Sequence, residues 1–380
     1  MTSDAEWPPP PRPPGRFDFA VGSPPGGIPA GPGAPGPSMA RVMGSFCLFV
    51  VGLAVAIGAS LAFGARSMDL ATVIDAIVAY DTTEADHLIV RELRWPRTQL
   101  GLLVGAALAV AGALTQAATR NPVAGPGLVG TNAGAALAAA SAVVVLDLDA
   151  PGDLVVFGVV GAAVAAAVYA FVARALGPKP VLRLVLAGLA LVLALVVSTR
   201  AVTQADEETL DRWFWVMGSL PGREEALVPV VVLPVLLALL AAWVLSLLPG
   251  ALAPGVAGAD GAEGGPSGVG LAALAMVAVL VGCAVAAAGP IALIGLVAPI
   301  AARSAVGADL RLLVPASALL GPSVLMLLDV VGRLIIRPSE VKVGVMAAVI
   351  GVPIFALMVL LAGRFQAPPS ERPPPTGAAI

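Results

Sequence analysis

Three clusters of residues put polar or charged side chains where a run of apolar residues would otherwise continue. The first is TRNPVAGPGLVG, Thr119 to Gly130, where Asn121, Pro122 and Val123 are followed by Pro126 and three glycines. Proline ends helices and glycine permits tight turns, so the backbone is irregular here. The second is Asp329, with Arg333 four residues later on the same face of a helix and close enough to pair with it. The third is RELRWPR, which crowds Arg91, Arg94 and Arg97 into seven residues. Other chemistry is missing. No G-x-x-x-x-G-K-[ST] segment occurs, and neither Lys179 nor Lys342 follows a glycine, so a phosphate-cradling ATPase loop cannot be built. Cys47 and Cys283 sit in apolar runs without ligand spacing, and the single histidine, His87, reads as a solvated loop residue.

The elements that must position these residues are membrane helices. The chain is 58% hydrophobic and 12% charged, with a mean hydropathy of +0.96, far from the composition of soluble domains. A helix needs roughly 20 mostly apolar residues to cross the hydrocarbon core. Ten such runs are predicted, at 45–64, 97–118, 128–146, 154–174, 182–203, 226–248, 269–288, 291–305, 312–334 and 343–363. Residues 1–44 and 366–380, dense in Pro and Gly, read as disordered tails that flank a transmembrane unit at 45–365. Lys and Arg are almost evenly divided between the two sides, so the positive-inside rule does not orient the chain by itself.

In this setting each cluster gains a meaning. Non-helical backbone at membrane depth survives only where it lines a cavity or is buried in protein. Residues 119–130 are therefore either an ordinary turn between helices or part of a path. A charge at the midplane costs about 2.5 to 3.5 kcal/mol, which favours an intramembrane ion pair of Asp329 with Arg333 over a direct substrate role. An ion-coupled secondary transporter would need such an acid in corresponding halves of the chain, and Asp329 is a lone candidate. Helix segments such as GLLVGAALAVAGAL place Gly101, Gly105, Ala109 and Gly112 at spacings that let backbones approach closely.

Three blocks in fixed order carry a family resemblance. They are RELRWPRTQLGLLVGAALAVAGALTQAATRNPVAGPGLVGTNAGAALAAA from Arg91, then AAAGPIALIGLVAPIAARSAVGADLRLLVPASALLG, then DVVGRLIIRPSEVKVGVMAAVIGVPIF. With them the chain resembles the FecCD/BtuC-like permease family of ABC importers for iron-siderophores, haem and vitamin B12. The resemblance runs from about the first helix to residue 363. It departs at Pro299-Ile300 and at Asp309, Leu310, Arg311, where the family carries histidine. It departs again at SLLPGALAPGVAGADGAEGGPSG, Ser246 to Gly268, where the family's coupling helix is not recognisable.

The resemblance implies an all-α membrane protein with a BtuC-like bundle of about ten helices, multi-pass in the cytoplasmic membrane with both termini cytoplasmic. It implies a permease subunit without its own ATPase site or cofactor, most simply for iron-siderophores, with vitamin B12 or haem as the alternative. Its partners would be a second permease subunit, two ATP-binding subunits and an extracytoplasmic substrate-binding protein. By position, Asn121, Pro122 and Val123 match the cytoplasmic gate. Leu247, Leu248, Gly250, Leu252 and Val256 lie where the ATPase docks. Arg91, Arg94, Arg97 and Arg333 match outer arginines that engage the binding protein. The alternative for these arginines is interfacial anchoring, by snorkelling or by pairing with Glu92 and Asp86.

Overall fold

A cap opens the first helix. The Ser38 hydroxyl accepts from the Arg41 N–H at 3.4 Å, and α1 runs Met39–Ala62, six residues ahead of its predicted start at 45. The computed structural model describes residues 38–64, 66–119, 121, 123–176, 181–204, 214–220, 224–248, 268–336 and 339–364. The two predicted tails fall largely outside this range.

After α1 come α2 (Leu70–Val78), α3 (Ala85–Leu88) and a π-helical turn (Ile89–Arg94) that runs into α4 (Trp95–Thr119). The turn widens for a local reason. Pro96 has no N–H to complete an α-helical ladder, and the Trp95 N–H reaches back five residues to Val90 O. Then follow α5 (Thr131–Leu146), α6 (Pro151–Leu176), α7 (Val181–Gln204), α8 (Phe214–Met217), α9 (Glu224–Leu247) and α10 (Gly268–Ala288). The last three are α11 (Ile294–Val306), α12 (Leu310–Ile335) and α13 (Val343–Arg364). No strand occurs among the described residues.

Seven of these helices are long and apolar enough to cross a membrane, and three shorter apolar helices, Thr131–Leu146, Ile294–Val306 and Val343–Leu357, fill the remaining predicted positions. Two of the short ones begin late because of backbone geometry. Gly130 (φ +85°) delays α5 to Thr131, while Gly289 (φ +68°) and Leu293 (φ +71°) hold the chain non-helical until Ile294.

Small residues decide which helices touch. A Cβ on Gly105 of α4 would lie 2.5 Å from Pro322 Cα of α12, and one on Gly158 of α6 would lie 2.7 Å from Gly282 O of α10. Gly112 faces the carbonyl of Gly295 in α11, and Gly134 of α5 packs against Gly161 of α6. Lipid tails are as apolar as leucine, so helix association here depends on this close packing rather than on a hydrophobic drive. The main core joins α4, α10 and α12 through Leu100, Leu108, Leu280, Val281 and Leu325. By contrast, Gly52 in α1 has nothing within 4 Å of its added Cβ.

Gly105→Leu should therefore lower the unfolding temperature of the purified protein and broaden its size-exclusion peak, since overpacking costs about 1–3 kcal/mol or more. Gly52→Leu should leave both unchanged.

Candidate functional site

At one end of the bundle, where α1 finishes and α4 begins, three buried guanidinium groups converge. Asp329 of α12 is 2% exposed. Its Oδ1 accepts from Arg97 Nη2 at 2.6 Å, and its Oδ2 accepts from Arg97 Nε at 3.0 Å and Arg333 Nη2 at 2.6 Å. Arg97 also reaches Glu340 at 2.8 Å. Arg333 donates onward to Ser60 O and Phe63 O, both at 3.0 Å, and to the Ser60 hydroxyl at 3.1 Å. Arg94 donates to Leu61 O at 2.5 Å and Ala62 O at 2.8 Å, and also to Arg66 O. The last carbonyls of α1, which a helix leaves without intrahelical donors, are thus capped by arginines from two other helices.

Exposed polar groups surround this buried cluster. Arg91 is exposed, lies over the Tyr80 ring at 5.3 Å and donates to Ile77 O at 3.3 Å. The Tyr80 hydroxyl donates to Glu92 at 3.0 Å. Asp86 pairs with Arg66 at 3.1 Å. His87 Nδ1 accepts from the Asp81 N–H at 3.1 Å, so the histidine fastens its own loop. The Thr83 N–H and hydroxyl, both bonded to Asp81, hold that carboxyl below the usual range.

The other end of the bundle carries residues 121–130. Asn121 Oδ1 accepts from the Val123 N–H at 3.0 Å, and Ala124 N donates to Asn121 O at 3.0 Å, which folds the segment on itself. Pro126 O accepts from both the Thr131 N–H at 3.1 Å and the Thr131 hydroxyl at 2.8 Å. The segment leans on α11. A Cβ on Gly125 would lie 3.6 Å from Gly295 O, and one on Gly295 would lie 3.0 Å from Pro126 Cδ. The Gln116 amide of α4 donates to Leu296 O at 3.4 Å from the other side. Residues 123–130 are buried or half-buried, so the stretch is more than a solvated connection between helices.

At the same end, Leu247 closes α9 and Leu248 follows it, and both are exposed, at 43% and 51%. Arg311 of α12 donates to Leu247 O at 3.4 Å, and Arg41 of α1 donates to Ser304 O of α11 at 2.8 Å. Pro122, Gly250, Leu252 and Val256 lie outside the described residues.

The sequence expectations meet this geometry unevenly. Asp329 and Arg333 stand together as expected of an i, i+4 pair, but Arg97 from 232 residues away shares the carboxylate. Arg94, Arg97 and Arg333 are buried and commit their guanidinium groups inside the chain, so of the four only Arg91 is presented outward. Anchoring through Glu92 or Asp86 is not their arrangement either, since those carboxylates meet Tyr80 and Arg66. Sequence reading missed Glu340 and the capping of α1.

Ten apolar helices packed through glycine, two of them separated by an irregular segment that turns into the bundle, define a multi-pass membrane transport protein. A model of the FecCD transport family matches residues 52–361, and the chain belongs to that family. It is 38% identical over 309 residues to the ferric enterobactin transport system permease protein FepD of Escherichia coli (strain K12), covering 81% of this chain and 92% of that one. It is 36% identical over 292 residues to the vitamin B12 import system permease protein BtuC of Escherichia coli (strain SE11), covering 74% and 86%. Among solved structures, a metal-chelate type ABC transporter in an inward-facing conformation superposes with a TM-score of 0.65 at 24% identity, covering 84% of this chain and 99% of that one. This last likeness concerns the fold.

Asp329→Asn should cost about 3–5 kcal/mol, because it leaves the buried Arg333 guanidinium without a counter-charge and Arg97 with Glu340 alone. Glu340→Gln should cost about 1 kcal/mol or less, since its partly exposed carboxylate gains little from pairing. Thermal unfolding of the two purified variants beside the wild type measures the difference.

Proposed function

We propose that this chain is the permease subunit of a binding-protein-dependent ABC importer that carries an iron-siderophore chelate. The observation that supports it best is the match to FepD across nearly the whole length of both chains. Two permease subunits would enclose the path, a separate ATPase pair would supply the energy, and an extracytoplasmic binding protein would deliver the chelate. Asn121, Pro122 and Val123 then serve as the cytoplasmic gate. The exposed end of α9 at Leu247 and Leu248, continued by Gly250, Leu252 and Val256, serves as the ATPase contact. Arg91 serves as an outward charge for the binding protein. Both termini lie in the cytoplasm.

Vitamin B12 is the second reading, favoured by the match to BtuC, which is slightly lower in identity and coverage. An ion-coupled mechanism has less support. Asp329, the one fully buried acid among the described residues, already accepts three hydrogen bonds from two arginines, and so has little room to ligate a coupling ion.

In proteoliposomes with its cognate ATPase and binding protein, the chain should take up a Fe(III)-siderophore only when ATP is inside the ATPase-accessible compartment. Uptake driven by a proton or sodium gradient without ATP would overturn the reading. Replacing residues 247–256 with a Gly/Ser linker should abolish binding-protein-stimulated ATPase activity while membrane insertion persists. Arg91→Glu should weaken binding-protein association at low salt more than at high salt, because screening removes the contribution of an exposed charge. A reporter active only outside the membrane, fused after Phe365, should stay silent.

A further inference from the structure

The nine-residue helix α2, Leu70–Val78, is apolar on two faces. On the inward face, Val73 and Ala76 pack with Leu61 and Ala62 at the end of α1 and with Val90 of the π-helical turn. On the outward face, Leu70, Ile74, Ile77 and Val78 are all exposed, Val78 at 79%. With 3.6 residues per turn, these four side chains share one arc of about 100° around the helix. Asp75, the only charged residue of α2, lies beyond the edge of that arc. An exposed apolar patch rimmed by polar groups marks a surface that meets protein or membrane.

The depth of α2 decides between them, and α1 sets that depth. α1 has 24 residues, about 36 Å of helix against a hydrocarbon core of about 30 Å, so its last turn reaches the edge of the core. The Met68 N–H just ahead of α2 donates to Ala62 O at 2.9 Å, and the inward face of α2 packs on the same turn of α1. α2 therefore lies at the boundary between acyl chains and headgroups. The exposed apolar residues of α1, Val51 and Val55 among them, continue along the chain through exposed Phe63 to Leu70. Tyr80 and the part-exposed Trp95 stand close by in sequence, the residue types enriched where membrane meets water. A second copy of the chain is a poor match, because a stable interface takes about 20–30 residues a side and this face offers four.

We propose that α2 is an interfacial helix whose outward face, Leu70, Ile74, Ile77 and Val78, sits in lipid at the headgroup boundary of the leaflet at the arginine end of the bundle. Apolar helix faces of this kind bury about 5–10 Å into that boundary. The helix also carries a charge with it. Arg91 donates to Ile77 O at 3.3 Å and lies over the Tyr80 ring, so lipid contact with α2 holds Arg91 at the bilayer surface. The proposal is independent of the cargo and of what energises transport.

The test places spin labels on single cysteines in the full chain, in a Cys47→Ser, Cys283→Ala background, reconstituted in phosphatidylcholine and phosphatidylglycerol nanodiscs. Collisions with oxygen, which concentrates among acyl chains, are compared with collisions with a nickel chelate, which stays in water. Val55→Cys on α1 is the lipid reference and Glu84→Cys, in the exposed loop, is the water reference. Ile74→Cys and Val78→Cys should lose most of the nickel accessibility of Glu84→Cys and approach the oxygen accessibility of Val55→Cys, while Asp75→Cys keeps its access to nickel. Four outcomes overturn the proposal. Nickel access at Ile74 and Val78 equal to that at Glu84 puts the face in water. Shielding from both reagents puts it against protein, a second copy included. Nickel access that is lost only when the binding protein is added makes it a docking face. Oxygen access at Asp75 as high as at Val55 submerges the whole helix. With the native cysteines kept, Ile74→Trp should add fluorescence that acyl-brominated lipid quenches and iodide does not, and the reverse pattern also overturns the proposal.

Discussion

One carboxylate holds the ends of three helices. Asp329 accepts from Arg97 of α4 and Arg333 of α12, and Arg333 carries the connection on to the final carbonyls of α1. Charge-assisted hydrogen bonds of this kind are about twice as strong as neutral ones, and water is not at hand to replace them. The arrangement is also close to all-or-none. Loss of any member leaves a buried charge, and the cost of that exceeds what the pair contributes over an apolar substitute. Arg94 has no acid of its own in this cluster. It is satisfied by the negative end of the α1 dipole and its free carbonyls, which makes the position of α1 a condition for burying that arginine.

Away from this clamp the bundle has few directional contacts, and glycine takes over. Gly105 against Pro322 and Gly158 against Gly282 set the distance between axes by removing side chains, not by adding attractions. Prolines inside α9, α11, α12 and α13 are compatible with this packing, because neighbouring helices shield the carbonyls that proline leaves without donors. The Pro322 ring region meets Gly105 directly, so the residue that breaks the ladder is also the one that fits the groove.

The sequence made some of this legible and hid the rest for definite reasons. Apolar runs of about 20 residues fixed the helices to within a few positions, because the bilayer imposes their length. The irregularity of residues 119–130 was readable from Pro and Gly. The Asp329–Arg333 pair was readable because both residues sit on one helix, where spacing fixes geometry. The sharing of Asp329 with Arg97 was not, since 232 residues separate them. The short helix α2 fell below the length that hydropathy detects. The late start of α11 depends on Leu293 adopting φ +71°, a conformation that leucine type gives no reason to expect.

The two ends of the bundle differ in what must be broken for them to move. At the arginine end, separation would take from Asp329 the two arginines that neutralise it. At the opposite end, the seam between residues 123–130 and α11 is built from Gly125, Gly295 and Gly112. Pro299 deprives Gly295 O of its intrahelical donor, and that carbonyl points at Gly112 instead. Contacts of a carbonyl with Cα–H contribute about half as much as a neutral hydrogen bond, and van der Waals contacts between glycines are individually smaller still. Sliding the 121–130 segment along α11 therefore sacrifices weak, replaceable contacts. Moving α4 against α12 at their far ends sacrifices strong, irreplaceable ones, so the same helix, α4, is pinned at its start and free to yield at its finish.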